Sequence, residues 1–122
     1  MKNYVQKGDS LEYLNESGSD IASGDAVVIG SQIGVAAADI VDDDSGTVNM
    51  EGVYTLPKTT GSAIAQGDPA IFDVSVAEFI PSTGTPAVGD VSGAVTCWAD
   101  AASGDTTVAV KINTGVGVVA TE

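Results

Sequence analysis

Apolar and polar residues alternate along two segments of the chain, residues 47–54 and residues 106–112. Successive side chains of a β-strand point to opposite faces, so a repeat of two residues is typical of a strand with one buried face. Both segments are therefore predicted to be strands. Their apolar positions on the buried side are Val48, Met50 and Tyr54 in the first and Val108, Val110 and Ile112 in the second, where Lys111 points outward.

Shorter apolar segments lie between clusters of turn-forming Gly, Asp, Ser and Pro residues, and each is a further candidate strand. With the two segments above they make seven or eight short strands, which predicts an all-β fold, either a small β-barrel or a sandwich. The further candidates are residues 11–14, 26–29, 33–37, 70–73, 76–80 and 91–98.

A short internal sequence repeat supports this interpretation. Residues 21–28 and 64–71 share the pattern Ile-Ala-x-Gly-Asp-x-x-apolar and lie 43 residues apart, and Gly-Asp recurs at residues 89–90 and 104–105. Glycine adopts the positive φ that a turn requires, and aspartate bonds to nearby backbone. The motif is predicted to be a turn that precedes a strand; the alternative is a set of metal or phosphate loops.

Length and composition are those of one folded domain. The chain has 122 residues, 43% of them apolar, and a mean hydropathy of +0.21, so it is too apolar to be disordered and long enough for one core. A single cysteine excludes an intrachain disulfide. Residues 1–113 are expected to form one β domain, and residues 114–122 a tail or an extra edge strand.

Charge narrows the range of partners. Seventeen acidic residues face four lysines, with no arginine or histidine, which gives a net charge of −13. Nucleic acids and anionic membranes are bound largely through Lys and Arg, so neither is an expected partner. No apolar segment has the length of a signal peptide or a membrane span, so synthesis in the cytoplasm is expected.

Several kinds of catalytic site are missing from the sequence. Without histidine there is no imidazole base, no Ser-His or Cys-His dyad and no histidine ligand for zinc. A P-loop motif is also absent, so ATP-driven chemistry is not expected. Paired carboxylates remain, but the chain has six aromatic residues and no arginine to line a cleft. The sequence predicts a protein that is not an enzyme and needs no cofactor.

Two local features have competing interpretations. The acidic run at residues 42–44 offers carboxylates to Ca²⁺, but it lacks the spacing of an EF-hand, which favours a solvated loop tip. Cys97 and Trp98 are adjacent, so on a strand they face opposite sides. We expect one of them in the core and the other exposed. An exposed Trp98 would be an interface anchor.

Five blocks of the chain, in order, resemble the DUF2190 family, the small capsid cement or decoration proteins of tailed phages and prophages. The most specific are the opening residues and the motif Gly-Val-Tyr-x-Leu-Pro-Lys at residues 52–58. Residues 74–90 and those after Asn113 depart from the family pattern. The matching blocks are residues 1–9, 23–25, 33–36, 51–58 and 101–113.

The resemblance implies a protein that binds the major capsid protein on the outer surface of the head shell, often as a homotrimer, and strengthens the virion. Lys2 and Lys7 hold half of the positive charge, whereas residues 8–57 carry ten acids and no base. Lys2, Tyr4, Lys7 and Trp98 are therefore the predicted contacts with the capsid or a neighbouring subunit. The alternative for residues 2–7 is an ordinary first strand with exposed lysines.

Two other functions stay open at this point. One is a carbohydrate- or surface-binding β module on the virion, with Tyr4, Tyr13, Tyr54 and Trp98 as aromatic platforms. The other is a different structural subunit of the head or tail.

Overall fold

The computed structural model describes residues 8–121, which form ten strands in two antiparallel sheets and contain no helix. The arrangement is sandwich-like and the sheets do not close into a barrel. Accordingly, no helix of the described residues could span a membrane. The strands are β1 (Ser10–Leu14), β2 (Ala26–Ile29), β3 (Gln32–Ala36), β4 (Ser45–Asn49), β5 (Val53–Pro57), β6 (Pro69–Asp73), β7 (Glu78–Pro81), β8 (Val91–Cys97), β9 (Thr107–Ile112) and β10 (Val118–Val119).

The first sheet has four strands in the order β1-β4-β3-β2. Leu11 of β1 lies opposite Val48 of β4, and Val48 lies opposite Ala36 of β3, so their side chains share one face. This face encloses a small core, because Ile21 and Ile40 cover it from the loops. The members of the small core are Val27, Ala36, Ile40, Val48 and Met50, with Leu11, Tyr13, Ile21 and Ile29 packed against them.

The second sheet has six strands, in the order β5-β9-β8-β6-β7 with β10 beside β8. The alternation predicted for residues 106–112 is confirmed in β9, where Val108, Val110 and Ile112 are buried and Lys111 is exposed. A register shift opposite Gly93, whose φ is 82°, divides β8. The first two residues of β8, Val91 and Ser92, pair with β10. Residues 95–97 of β8 pair with β9 along the same edge of the strand.

The two sheets are structural repeats. The same order and pairing of strands occurs twice, with β5, β6, β8 and β9 in the second sheet corresponding to β1, β2, β3 and β4 in the first. The short sequence repeat is therefore one turn of a larger duplicated unit. Isolated bridges join Ile21 to Ile40 in the first repeat and Ile64 to Ala101 in the second. The second repeat differs by the insertion of β7 and the loop after it.

The repeats pack through an outward face of the first sheet. Ile33 and Val35 of β3 point away from the small core and are buried in the large core of the second sheet, with Ala26 and Val28 beside them. The strands of the first sheet also approach closely at Gly34, where a Cβ would lie 2.3 Å from Val48 Cγ1. Both faces of β3 are therefore apolar and buried.

The prediction of one strand over residues 47–54 is wrong. β4 ends at Asn49 and β5 begins at Val53, and the two strands belong to different sheets. Gly52, with φ at 122°, breaks the extended backbone between them. Val48 and Met50 consequently lie in the small core while Tyr54 packs against the large one. This split, together with β10, raises the predicted seven or eight strands to ten.

Candidate binding face

The outward positions of four strands of the second sheet, β5, β9, β8 and β10, carry no carboxylate, whereas Asp73 of β6 and Glu78 of β7 lie on the same side of that sheet. Registers between β5 and β9 place Val53 beside Lys111 and Thr55 beside Ala109. β8 contributes Thr96 opposite Lys111, and β10 contributes Val118 opposite Ser92. We call this surface the outer face. It comprises Val53, Thr55, Pro57, Ser92, Thr96, Trp98, Thr107, Ala109, Lys111 and Val118.

Trp98 lies at the end of β8 and is held there by its backbone. Its N–H donates to Ala109 O at 2.8 Å, and its carbonyl accepts from Gln66 Nε2 at 3.0 Å. The side chain is 48% exposed, whereas neighbouring Cys97 is fully buried, as the alternation predicts. A large aromatic ring is thus presented to solvent from a fixed backbone position.

Lys111 lies against this ring. Its Nζ is 5.1 Å from the ring centroid of Trp98, which is within the range of a cation–π contact. Such a contact at an exposed site contributes about 0.5–1 kcal/mol. The pair is therefore partly ordered before any partner arrives, which lowers the entropy cost of binding.

Lys111 is also distinctive in its charge. The other lysine of the described residues, Lys58, is only 1% exposed, and its ammonium donates to Thr59 O at 2.9 Å and to Asp105 O at 3.4 Å. Within residues 8–121, Lys111 is thus the only side-chain cation that reaches solvent. It lies on the outer face of a chain whose net charge is −13.

The first repeat does not share this surface. At the positions equivalent to Thr55 and Lys111 it carries Glu12 and Asn49, and Ala37 stands where the second repeat has Trp98. The equivalence of Ala37 and Trp98 is supported by their backbone bonds, because each N–H donates to a carbonyl on the corresponding strand, β4 or β9. The aromatic ring, the cation and the absence of acid therefore belong to the second repeat alone.

The Gly-Asp steps are turns that precede strands, as predicted. Each stands in an Ala-x-Gly-Asp sequence whose Asp N–H donates back to the Ala carbonyl, at 3.0–3.1 Å. In three of the four, the Asp carboxylate accepts the Ala N–H at 2.9–3.0 Å; these are Asp25, Asp90 and Asp105. These carboxylates are engaged in turn geometry, and residues 8–121 contain no group of acidic, Cys or His side chains placed to hold a metal ion.

The acidic run at residues 42–44 also bonds to backbone. Asp42 Oδ1 accepts the N–H of Gly18 at 3.1 Å, and Asp44 Oδ1 accepts that of Ser45 at 2.9 Å. Asp43 adopts a φ of 67°, a conformation that aspartate tolerates better than most residues. The run forms a loop tip between the bridge at Ile40 and strand β4.

Of the predicted contact residues, the structure places Trp98 on the outer face. Lys2, Tyr4 and Lys7 lie outside the described residues. Sequence reasoning identified Lys111 as outward-facing but missed it as a site residue. Its signal was the alternation of β9, but the approach to Trp98 depends on the register between β8 and β9.

A comparison with protein families identifies the family of the chain. A family model described as phage cement protein matches residues 5–112. The chain belongs to the phage cement protein family. Membership supports a cement role and a capsid-associated place in the virion for this chain. Comparisons with curated proteins and with solved structures found no significant similarity.

Proposed function

We propose that this cement protein attaches to the outer surface of an assembled phage head, as a homotrimer, and stabilises the shell without catalysing a reaction. The observation that carries the proposal is the family match, which extends over residues 5–112 of 122. The proposed partner is the major capsid protein, and no cofactor is involved. The protein is made in the host cytoplasm and joins the virion there.

Charge supports the outer location. A trimer would carry three times the chain's charge of −13, which would be repelled by the DNA that fills the interior. On the outside, the same charge keeps particles from aggregating. Many copies, each with a modest contact area, give strong attachment through avidity, so a small β domain with two well-packed cores suits the role.

The proposed contacts are the N-terminal Lys2, Tyr4 and Lys7 together with Trp98. Deletion of residues 2–7 tests the N-terminal part. Capsid occupancy should fall, and an unchanged occupancy would leave these residues as an ordinary strand with exposed lysines.

The experiment for the whole proposal is co-sedimentation of purified protein with expanded heads that lack it, with native mass spectrometry of the free protein. The expected results are saturable binding to heads and a mass of three chains. Protein that stays in the supernatant would contradict the attachment. A ring of more copies would favour a tail or head-completion subunit.

Carbohydrate binding is less well supported by the geometry. Tyr13 packs against the small core and Tyr54 against the large core, where the Tyr54 hydroxyl donates to Glu51 O at 3.0 Å. Among residues 8–121, Trp98 is therefore the one strongly exposed aromatic ring. A glycan array with no binding is the expected result.

A further inference from the structure

We infer that the outer face, centred on Trp98 and Lys111, is the surface that docks on the capsid protein, and that the capsid site presents an apolar recess beside a carboxylate. This inference rests on the proposed function and assigns to it a face, an orientation and a partner chemistry.

Charge is unevenly distributed over the surface of the protein. The described residues carry acids on most of their turns, on β1, and on β6 and β7 at the far edge of the second sheet, yet the outward positions of β5, β8, β9 and β10 carry none. Bringing like charges together across an interface costs several kcal/mol. A neighbouring protein whose surface carries carboxylates can therefore approach this face at a lower electrostatic cost than the acidic turns.

Apolar side chains are exposed on the same face. Val53, Trp98 and Val118 are 45%, 48% and 69% exposed. They lie on β5, at the end of β8 and on β10, so they extend across the sheet. Interface cores are enriched in aromatic residues and depleted of acids, and tryptophan is the residue type most enriched among those that dominate binding energy.

Lys111 has hydrogen-bond donors that remain available to a partner. Within the described residues its ammonium lies over the Trp98 ring and forms no ion pair, although Glu51 lines the same surface hollow. Three donors are thus available to an acceptor on the partner. Because Lys111 lies 5.1 Å from the ring centroid, that acceptor must lie beside whatever receives the indole. A carboxylate next to an apolar recess meets both requirements.

The same features favour the capsid over a second copy related by a twofold axis. A twofold contact through this face would bring each Trp98 and Lys111 against the same surface of its partner. That surface carries a lysine and no acid, so neither ammonium would gain a carboxylate. A head-to-tail contact within the proposed homotrimer pairs two different surfaces, so the oligomeric mass of the variants distinguishes such a contact from docking on the capsid.

Quantitative binding of four variants to expanded heads lacking this protein tests the inference. Trp98→Ala is paired with Leu14→Ala, since Leu14 is 49% exposed in the first repeat. Lys111→Gln is paired with Thr83→Glu, an exposed site in the loop after β7, because each change makes the net charge more negative by one. Native mass spectrometry and thermal unfolding of every variant accompany the binding curves.

We expect Trp98→Ala to weaken attachment per subunit by about thirtyfold, the effect of losing an interface hot spot. Lys111→Gln should weaken it by about fivefold, as for loss of one ion pair, and both controls should stay within about twofold of the unsubstituted protein. Lys111→Gln leaves the core intact and so keeps the test open if Trp98→Ala does not fold.

Binding of Trp98→Ala and Lys111→Gln at the level of the unsubstituted protein would overturn the inference and leave the proposed function standing. Failure of the unsubstituted protein to bind would instead remove the proposed function. A change of oligomeric mass in either variant, without heads present, would also overturn the inference, because it would place this face between copies.

Discussion

Asn113 forms a side-chain bridge to Ile33 that joins the two repeats. Its Oδ1 accepts the backbone N–H of Ile33 at 3.1 Å, and its Nδ2 donates to the Ile33 carbonyl at 2.9 Å. The amide thus makes the pair of bonds that a neighbouring strand would make. Nδ2 also donates to Met50 O at 2.7 Å, so one side chain fixes β3 and the segment between β4 and β5.

Removing this bridge should destabilise the fold. Asn113→Gly keeps the positive φ of 57° accessible but leaves the Ile33 N–H and two carbonyls without their partner. We expect the free energy of unfolding to fall by about 2–4 kcal/mol, measured by urea denaturation at fixed protein concentration. Asn113→Asp should be no more stable than Asn113→Gly, because a carboxylate oxygen would replace the Nδ2 donor and face the carbonyl oxygens of Ile33 and Met50. A loss below about 1 kcal/mol in both variants would show that the bridge contributes little.

Gly34→Ala should strain the small core. The new Cβ would lie 2.3 Å from Val48 Cγ1 and 2.8 Å from Met50 Sδ, closer than real contacts allow. Overpacking of this kind costs about 1–3 kcal/mol. Gly104→Ala is the matched control, since its Cβ would meet no atom within 4 Å and its backbone does not require glycine. Equal melting temperatures for the two variants would contradict the close approach of β3 and β4.

The turn aspartates should differ in their contribution to stability. Asp90 is 2% exposed and accepts the N–H groups of Val74 and Ala87, at 3.1 and 2.9 Å. Asp25 is exposed and accepts that of Ala22 at 3.0 Å. Asp90→Ala should therefore cost about 2–3 kcal/mol and Asp25→Ala about 1 kcal/mol, because the buried Asp90 side chain accepts two part-buried hydrogen bonds whereas Asp25 accepts one exposed bond. Chemical denaturation of both variants measures their unfolding free energies. An equal loss in the two variants would contradict the greater contribution of Asp90.

Cys97 should be inert while the protein is folded. Burial raises the pKa of its thiol, so little reactive thiolate exists at neutral pH. Because the pKa of the thiol is higher in the folded state than in the unfolded state, the neutral thiol stabilises the fold. This contribution to folding is fully present below the thiol's unfolded pKa of about 8.5 and is lost as the pH rises through the folded value.

Two measurements check this. Thiol reagents should label Cys97 in urea but not in native buffer, where rapid labelling would contradict its burial. Above about pH 8.5 the unfolding free energy of the unsubstituted protein should fall more steeply than that of Cys97→Ala. Parallel pH profiles of the two proteins would show that the Cys97 thiol does not contribute to the pH dependence of stability.

Local patterns in the sequence predicted much of the fold. The alternation of buried and exposed residues in β9 follows from its own sequence. Three of the four Ala-x-Gly-Asp turns use a glycine with positive φ, as predicted, and Gly104 is the exception. The break between Asn49 and Val53 could not be predicted in this way, because apolar and polar residues keep alternating across it although β4 and β5 belong to different sheets. The pairing of Trp98 with Lys111 likewise requires the register between β8 and β9, which no local pattern specifies.

The most direct test of the account is cryo-electron microscopy of expanded heads that lack this protein, after mixing with the purified chain. We predict added density on the outer surface of the shell, with the β5-β9-β8-β10 sheet facing the capsid protein and Trp98 at the contact. Shells without added density, or density confined to their interior, would contradict the capsid-cement function.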